Sequence, residues 1–142
     1  QRPGPAARLL DADAPADRRQ INHIITELLN RRLGLSITDA FCGFKAYRVE
    51  ALRCMQITVP GYAMPMQMWV QIARAGLQVR ELPVRLIYND PTRHFGGLLD
   101  DPTVRLQHYL QVFESELAAV HPTKRPEPHS CRHRGPCSTT TG

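Results

Sequence analysis

Only two stretches of this chain carry the pattern of a β-strand, residues 43–47 and 79–88, and the second is interrupted at Pro83. The other periodic segments repeat as helices. One or two strands do not make a closed sheet, because each leaves a row of backbone donors and acceptors that needs a neighbour. The chain has 142 residues, 42% apolar and 22% charged, which is enough to bury a core. The expected order of helix, strand, helix, helix, strand, loop, helix therefore reads as part of an α/β domain whose sheet other residues complete. A first residue that is Gln1 rather than Met fits that expectation of a fragment.

Residues 15–33 give the clearest helix. Ile21, Ile24, Ile25, Leu28, Leu29 and Leu33 recur at the helical period. Pro15 suits a first turn, Asp17 complements the helix dipole, and Gly34 suits a helix stop. Arg18, Arg19, Arg31 and Arg32 lie off the apolar stripe. Such a helix can rest on anionic lipid, or it can cover a sheet and leave its arginines in water, which is the ordinary case. A short helix is expected over 49–55 and another over 62–75. The latter is apolar on most sides, with a polar stripe of Gln67, Gln71 and Arg74, and should be largely buried. After a long polar loop, Asp101-Pro102 opens a last helix with Leu106, Leu110, Phe113 and Leu117 on one face.

Seven of the twelve prolines lie at the two ends, so residues 1–14 read as a loop or linker, 15–120 as the folded part and 121–142 as a disordered basic tail. The tail holds Lys124, Arg125, Arg132 and Arg134 against Glu127, a net +3 of the chain's +5. The folded part is nearly balanced, so no nucleic-acid partner is expected for it. No run is apolar enough to span a membrane, and the N-terminus lacks the apolar segment of a secretory signal. The expectation is a cytoplasmic protein with reduced cysteines, in which Cys42 and Cys54 are buried.

Three places could carry chemistry. In the run Thr38-Asp39-Ala40-Phe41-Cys42-Gly43-Phe44-Lys45-Ala46-Tyr47-Arg48, Asp39 could be a general base, hold a sugar hydroxyl, or simply cap a turn. In Asp90-Pro91-Thr92-Arg93-His94-Phe95-Gly96-Gly97, Arg93 and the glycines could fold over a phosphate, and His94 could ligate a metal; a solvated loop is the plain alternative. His129, Cys131, His133 and Cys137 offer zinc donors, but their spacing lacks the CxxC and HxxxH pairs of structural zinc sites.

Taken in order, these segments resemble the second half of family 2 glycosyltransferases of the dolichyl- or polyprenyl-phosphate sugar transferase type. Residues 39–48 resemble that family's D-x-x-S-G-F-[RK]-x-[YF]-[RK] stretch, with Cys42 at the serine. Gly61-Tyr62 resembles the start of its G-Y-x-[FM] helix, and Gln67 stands where many relatives carry Glu. Residues 76–84 resemble its G-x-x-[IV]-x-E-[VI]-P-[VI] strand. Arg93-His94-Phe95-Gly96-Gly97 sits where the family has R-x-x-G-x-S-K, without the Ser-Lys.

The resemblance implies the C-terminal part of a GT-A fold, with an open, mostly parallel sheet. It implies transfer of a hexose from a nucleotide-sugar donor to a lipid-phosphate or other acceptor, with Mg²⁺ or Mn²⁺. The metal-binding D-x-D of the family belongs to the other half, and Asp11-Ala12-Asp13 does not fit that role. Asp39 would orient or deprotonate the acceptor. Arg93, Lys45, Gly96 and Gly97 would bind substrate phosphate, and His94 would complete the metal's coordination. A peripheral contact at the inner face of the cell membrane follows from a lipid acceptor. The rival expectation is a non-catalytic, partner-dependent fragment whose basic tail binds membrane or nucleic acid.

Overall fold

A computed structural model describes residues 14–84 and 94–119. Four helices run in chain order: α1 (Ala16–Leu33), α2 (Val49–Leu52), α3 (Met64–Arg74) and α4 (Pro102–Ala118). Single 3₁₀ turns at Gly61–Ala63 and Gly97–Asp100 lead into α3 and α4. The three long helices pack on one another and form the core.

Each helix ends as its residues dictate. Pro15 sits at the N-cap of α1, and Gly34 closes it with a left-handed φ of 67° while its N–H reaches Asn30 O. The Asp101 side chain caps α4 by accepting from Thr103 and Val104 N–H, and Pro102 follows where no donor is needed. From α1, Ile21, Ile25 and Leu29 are buried, a narrower stripe than expected, since Ile24 is 37% exposed. In α3 all seven residues from Met66 to Ile72 are buried, because α1 and α4 cover it from different sides. Tyr109 and Phe113 of α4 complete the core. Burying a side chain such as Phe113 contributes about 1.5–3 kcal/mol.

Among the described residues there is no strand. This corrects the expected strand at 43–47 and the described part, 79–84, of the second. Extended chain becomes a strand only when another backbone pairs with it. No backbone partner exists for these segments among the described residues, and although Val79 packs against the core, Phe44 is 83% and Leu82 82% exposed. The α/β class is therefore not formed by the described residues, which are helical.

The polar stripe of α3 faces inward, not to solvent. Gln67 and Gln71 are buried, and their side-chain amides donate to the two carboxylate oxygens of buried Glu116 on α4, at 2.9 and 2.7 Å. Their carbonyl oxygens accept from the backbone of Thr58, Val59 and Gln56. Arg74 donates to the carbonyls of Glu116, Leu117 and Ala119 at the end of α4. Buried polar groups keep their hydrogen bonds or cost stability, so this stripe pins an irregular segment and a helix end to the core. The buried side of α4 is accordingly mixed: Arg105, Tyr109, Phe113 and Glu116, with Leu106, Leu110 and Leu117 only partly buried.

Candidate functional site

The chain after α1 runs back along that helix, and α1 supplies a row of polar side chains four residues apart to meet it. Asn30 closes a two-way pair with Ile37, donating to its carbonyl at 2.8 Å and accepting from its N–H at 3.0 Å. Asn22 Oδ1 and Thr26 Oγ1 both accept from Ala40 N–H. Trp69 Nε1 donates to Ala40 O at 2.9 Å in the core. These side chains do for residues 37–40 what a neighbouring strand would do.

Asp39 sits at the head of this loop. Its Oδ1 accepts from Phe41 N–H at 2.8 Å, Cys42 N–H at 3.0 Å and Asn22 Nδ2 at 2.9 Å. All three bonds converge on one oxygen, and Oδ2 accepts none among the described residues. Asp39 thus organises a turn, the plainest of the roles open to it from sequence. Gly43 provides no close approach, since a Cβ there would meet nothing within 4 Å.

The turn directs Lys45 inward. Its ammonium donates to Cys42 O and lies 5.7 Å from the centre of the Trp69 ring. Burial pushes the Lys45 amine below its ordinary 10.5, while Cys42, Asp39 and Glu81 hold it back up. Glu81 arrives from the next extended segment, and both its carboxylate oxygens accept from Thr38 N–H, at 2.9 and 3.1 Å. Asp39 and Lys45 are therefore brought together, with Glu81 as a third charge. Cys42 and Cys54 are unpaired thiols, half-buried rather than buried.

The second loop is built differently. Gly96 and Gly97 take φ of 91° and 60°, a region that suits residues without a Cβ. Phe95 lies between cations: the Arg105 guanidinium is 4.2 Å and that of Arg18 4.7 Å from its ring centre, with Tyr62 edge-on at 4.8 Å. Arg105 is only 2% exposed and is satisfied by Asp17 Oδ2 at 2.6 Å and Leu99 O at 2.8 Å. Asp100 Oδ1 accepts from Phe95 N–H at 2.8 Å and Gly96 N–H at 3.1 Å. The Gly96 N–H, followed by those of Phe95 and nearby cations, holds the Asp100 carboxyl below its ordinary 3.8.

The Gly96 N–H expected to cradle a phosphate is thus engaged by the loop's own carboxylate. His94 faces Asp100 at 3.9 Å and is 75% exposed. Among the described residues no three His, Cys, Asp or Glu side chains converge to hold a metal ion. Arg93, the His129–Cys137 group and the basic tail lie outside the described residues. No hydrogen bond, ion pair or ring contact joins Asp39 or Lys45 to His94, Gly96 or Gly97 among the described residues. The two loops meet the same helix: the Phe41 ring lies 4.8 Å from that of Tyr109, tilted by 39°, one turn along α4 from Arg105.

Sequence reasoning did not single out Asn22, Thr26, Asn30 or Arg105, and it met Glu81 only as the glutamate of the 76–84 motif, without a role. A signal existed for the first three, a polar row at i, i+4 and i+8 beside an apolar stripe. Arg105 had none, because a cation inside a helix reads as solvated.

Searched against known protein families, the chain matches none. No solved structure matches it. It is similar to an undecaprenyl-phosphate mannosyltransferase of Micrococcus luteus, 25% identical over 100 residues. The match covers 67% of this chain but 41% of that protein, so the chain spans less than half the length of its relative. No helix among the described residues is long and apolar enough to cross a membrane.

Proposed function

We propose that this chain is the acceptor-side part of a glycosyltransferase that moves a hexose from a nucleotide-diphospho-sugar to a polyprenyl phosphate. The observation that carries this reading is the similarity to the Micrococcus luteus mannosyltransferase. Three of the four resembling motifs, 39–48, 61–62 and 76–84, fall among the described residues, and two of them meet at Thr38, Lys45 and Glu81. The reading includes a partial GT-A fold, in which the unpaired backbone of 43–47 and 79–84 would border a sheet from the rest of the enzyme.

The chemistry asks little of a base. A phosphate monoester with a second pKa of about 6 is mostly a dianion at neutral pH. Its oxygen attacks the anomeric carbon, forming a carbon–oxygen bond as the bond to the nucleoside diphosphate breaks, and no proton needs removal. Asp39 then orients the loop rather than deprotonating the acceptor, which suits an Oδ1 that already accepts three hydrogen bonds. Of the two cations in this stretch, Lys45 and Arg48, Lys45 lies beside the Asp39 turn, and it is the one that would meet the acceptor phosphate. The departing diphosphate requires countercharge, which Mg²⁺ or Mn²⁺ supplies when bound. The described residues do not fit such an ion, and no step of this account runs through it.

Exposed Phe44, Leu82, Val84 and Leu98 favour a second reading, a non-catalytic subunit that docks on a partner. One assay separates the two. The full-length protein is incubated with undecaprenyl phosphate and labelled UDP- or GDP-hexoses, and lipid-phase label is counted. Label in the lipid phase that depends on added undecaprenyl phosphate is the expected result. No lipid-phase label with any donor would leave the docking subunit as the better reading.

A further inference from the structure

We infer that Glu81 is a positioning residue of the acceptor-side loop, tying the backbone at Thr38 and setting the charge of Lys45 so that Asp39 and Lys45 work as one unit. The inference deepens the transferase reading and rests on it for its functional consequence.

Glu81 is exposed, and the apolar residues after it hold it to nothing: Leu77 and Val79 pack against the core, but Leu82 is 82% and Val84 47% exposed. Yet its carboxylate reaches across 43 residues of sequence to accept the Thr38 N–H with both oxygens. Thr38 immediately precedes Asp39, so the bond fixes the entry to the turn, as the Asp39 bonds to Phe41 and Cys42 fix its exit. The same carboxylate makes no ion pair with Lys45; it acts on the ammonium through space, from its place at Thr38 beside the Asp39 turn. The groups acting on that ammonium are Cys42 and Asp39 from its own loop and Glu81 from the second segment, with the Trp69 ring of α3 beneath it. A half-buried ammonium tends to lose its proton, and the two carboxylates oppose that, as does the face of the Trp69 ring. An ammonium that must meet a phosphate has to stay charged.

Glu81→Gln isolates the electrostatic part, because the amide oxygen still accepts from Thr38. The test has two arms in the full-length protein. In the first, the lysines are ¹³C-dimethylated and Lys45, assigned by Lys45→Arg, is titrated by NMR. The sign follows from the removed charge: Glu81 raises the Lys45 pKa, so Glu81→Gln should lower the titration midpoint further. A midpoint that is unchanged or rises overturns the inference. This arm reads Lys45 whether or not the protein transfers sugar, so failure of the transferase reading leaves it decisive. In the second arm, the KM for polyprenyl phosphate is followed against pH. Glu81→Gln should raise it about two- to fivefold at alkaline pH, the range of a partly exposed charge interaction, with kcat little changed. An equal rise at every pH would mark Glu81 as structural only and overturn the charge-setting role.

Discussion

The two loops that carry the candidate residues are held by different means. The Asp39 loop is held mainly by neutral hydrogen-bonding side chains of α1, Asn22, Thr26 and Asn30, against its backbone, with Glu81 at its entry. The glycine loop is held by Phe95 beside two guanidiniums, one of them the buried Arg105, and by its own Asp100 carboxylate. Hydrogen bonds to backbone fix position atom by atom. Stacking on a ring fixes a plane, and Asp100 Oδ1 fixes the Phe95 and Gly96 N–H groups beside it. The first arrangement ties its loop to α1, and the second ties its loop to α4 through Arg105.

If the comparison holds, each loop has its own anchor and can be released separately. The largest effect should come from Arg105→Met. It removes one member of a buried pair, strips Phe95 of a stacking partner and leaves Leu99 O without its donor. Loss of one buried partner costs about 3–5 kcal/mol, and the lower end applies because Asp17 is 38% exposed. Urea unfolding should show a loss of about 3 kcal/mol, while the amide shifts of residues 37–42 stay in place. A loss under about 1 kcal/mol would mean that Arg105 anchors nothing.

A smaller loss is expected from Asn22→Ala. It removes the bond to Asp39 and one of two acceptors for Ala40 N–H. Thr26 still accepts from Ala40, so the cost should be about 1–2 kcal/mol. Hydrogen exchange should quicken at Ala40, Phe41 and Cys42 and remain unchanged at Phe95 and Gly96. Faster exchange in both loops would erase the distinction between them.

The sequence showed the helices well and the paths between them poorly. The apolar period located α1 and α4 to within a residue or two, and Asp101-Pro102 gave the start of α4, because period and cap chemistry are local. Residues 43–47 and 79–84 looked like strands because their composition is right for strands, yet pairing depends on a neighbour that composition does not name. Gln67, Gln71 and Arg74 were visible as a polar stripe on a helix expected to be largely buried. Only the position of Glu116, 49 and 45 residues from the two glutamines, turns that stripe inward. Asp39 and Lys45 were visible as a pair through one motif and Glu81 through another, and only folding brings the two motifs together.

The smallest effect should be an acid transition confined to the glycine loop. The folded-state pKa of Asp100 is depressed, so its contribution is present above the ordinary 3.8 and is lost as pH falls through the lower folded value. Phe95 and Gly96 amide shifts should move together below pH 3.8, and Asp100→Asn should abolish the movement. The Ile37 amide, held by uncharged Asn30, should stay still. Joint movement of all three would tie both loops to one transition and contradict separate anchoring.

The central claim is that the Asp39 loop presents Lys45 to an acceptor phosphate. Steady-state kinetics of Lys45→Gln in the full-length enzyme test it most directly, with the nucleotide-sugar and the polyprenyl phosphate varied in turn. A hydrogen bond to a charged group is worth about 1.5–3 kcal/mol, and the half-exposed setting favours the low end. The account predicts that the KM for polyprenyl phosphate rises about tenfold while the KM for the nucleotide-sugar stays unchanged. A rise in the nucleotide-sugar KM with no change for the lipid phosphate would place Lys45 on the donor side and contradict it.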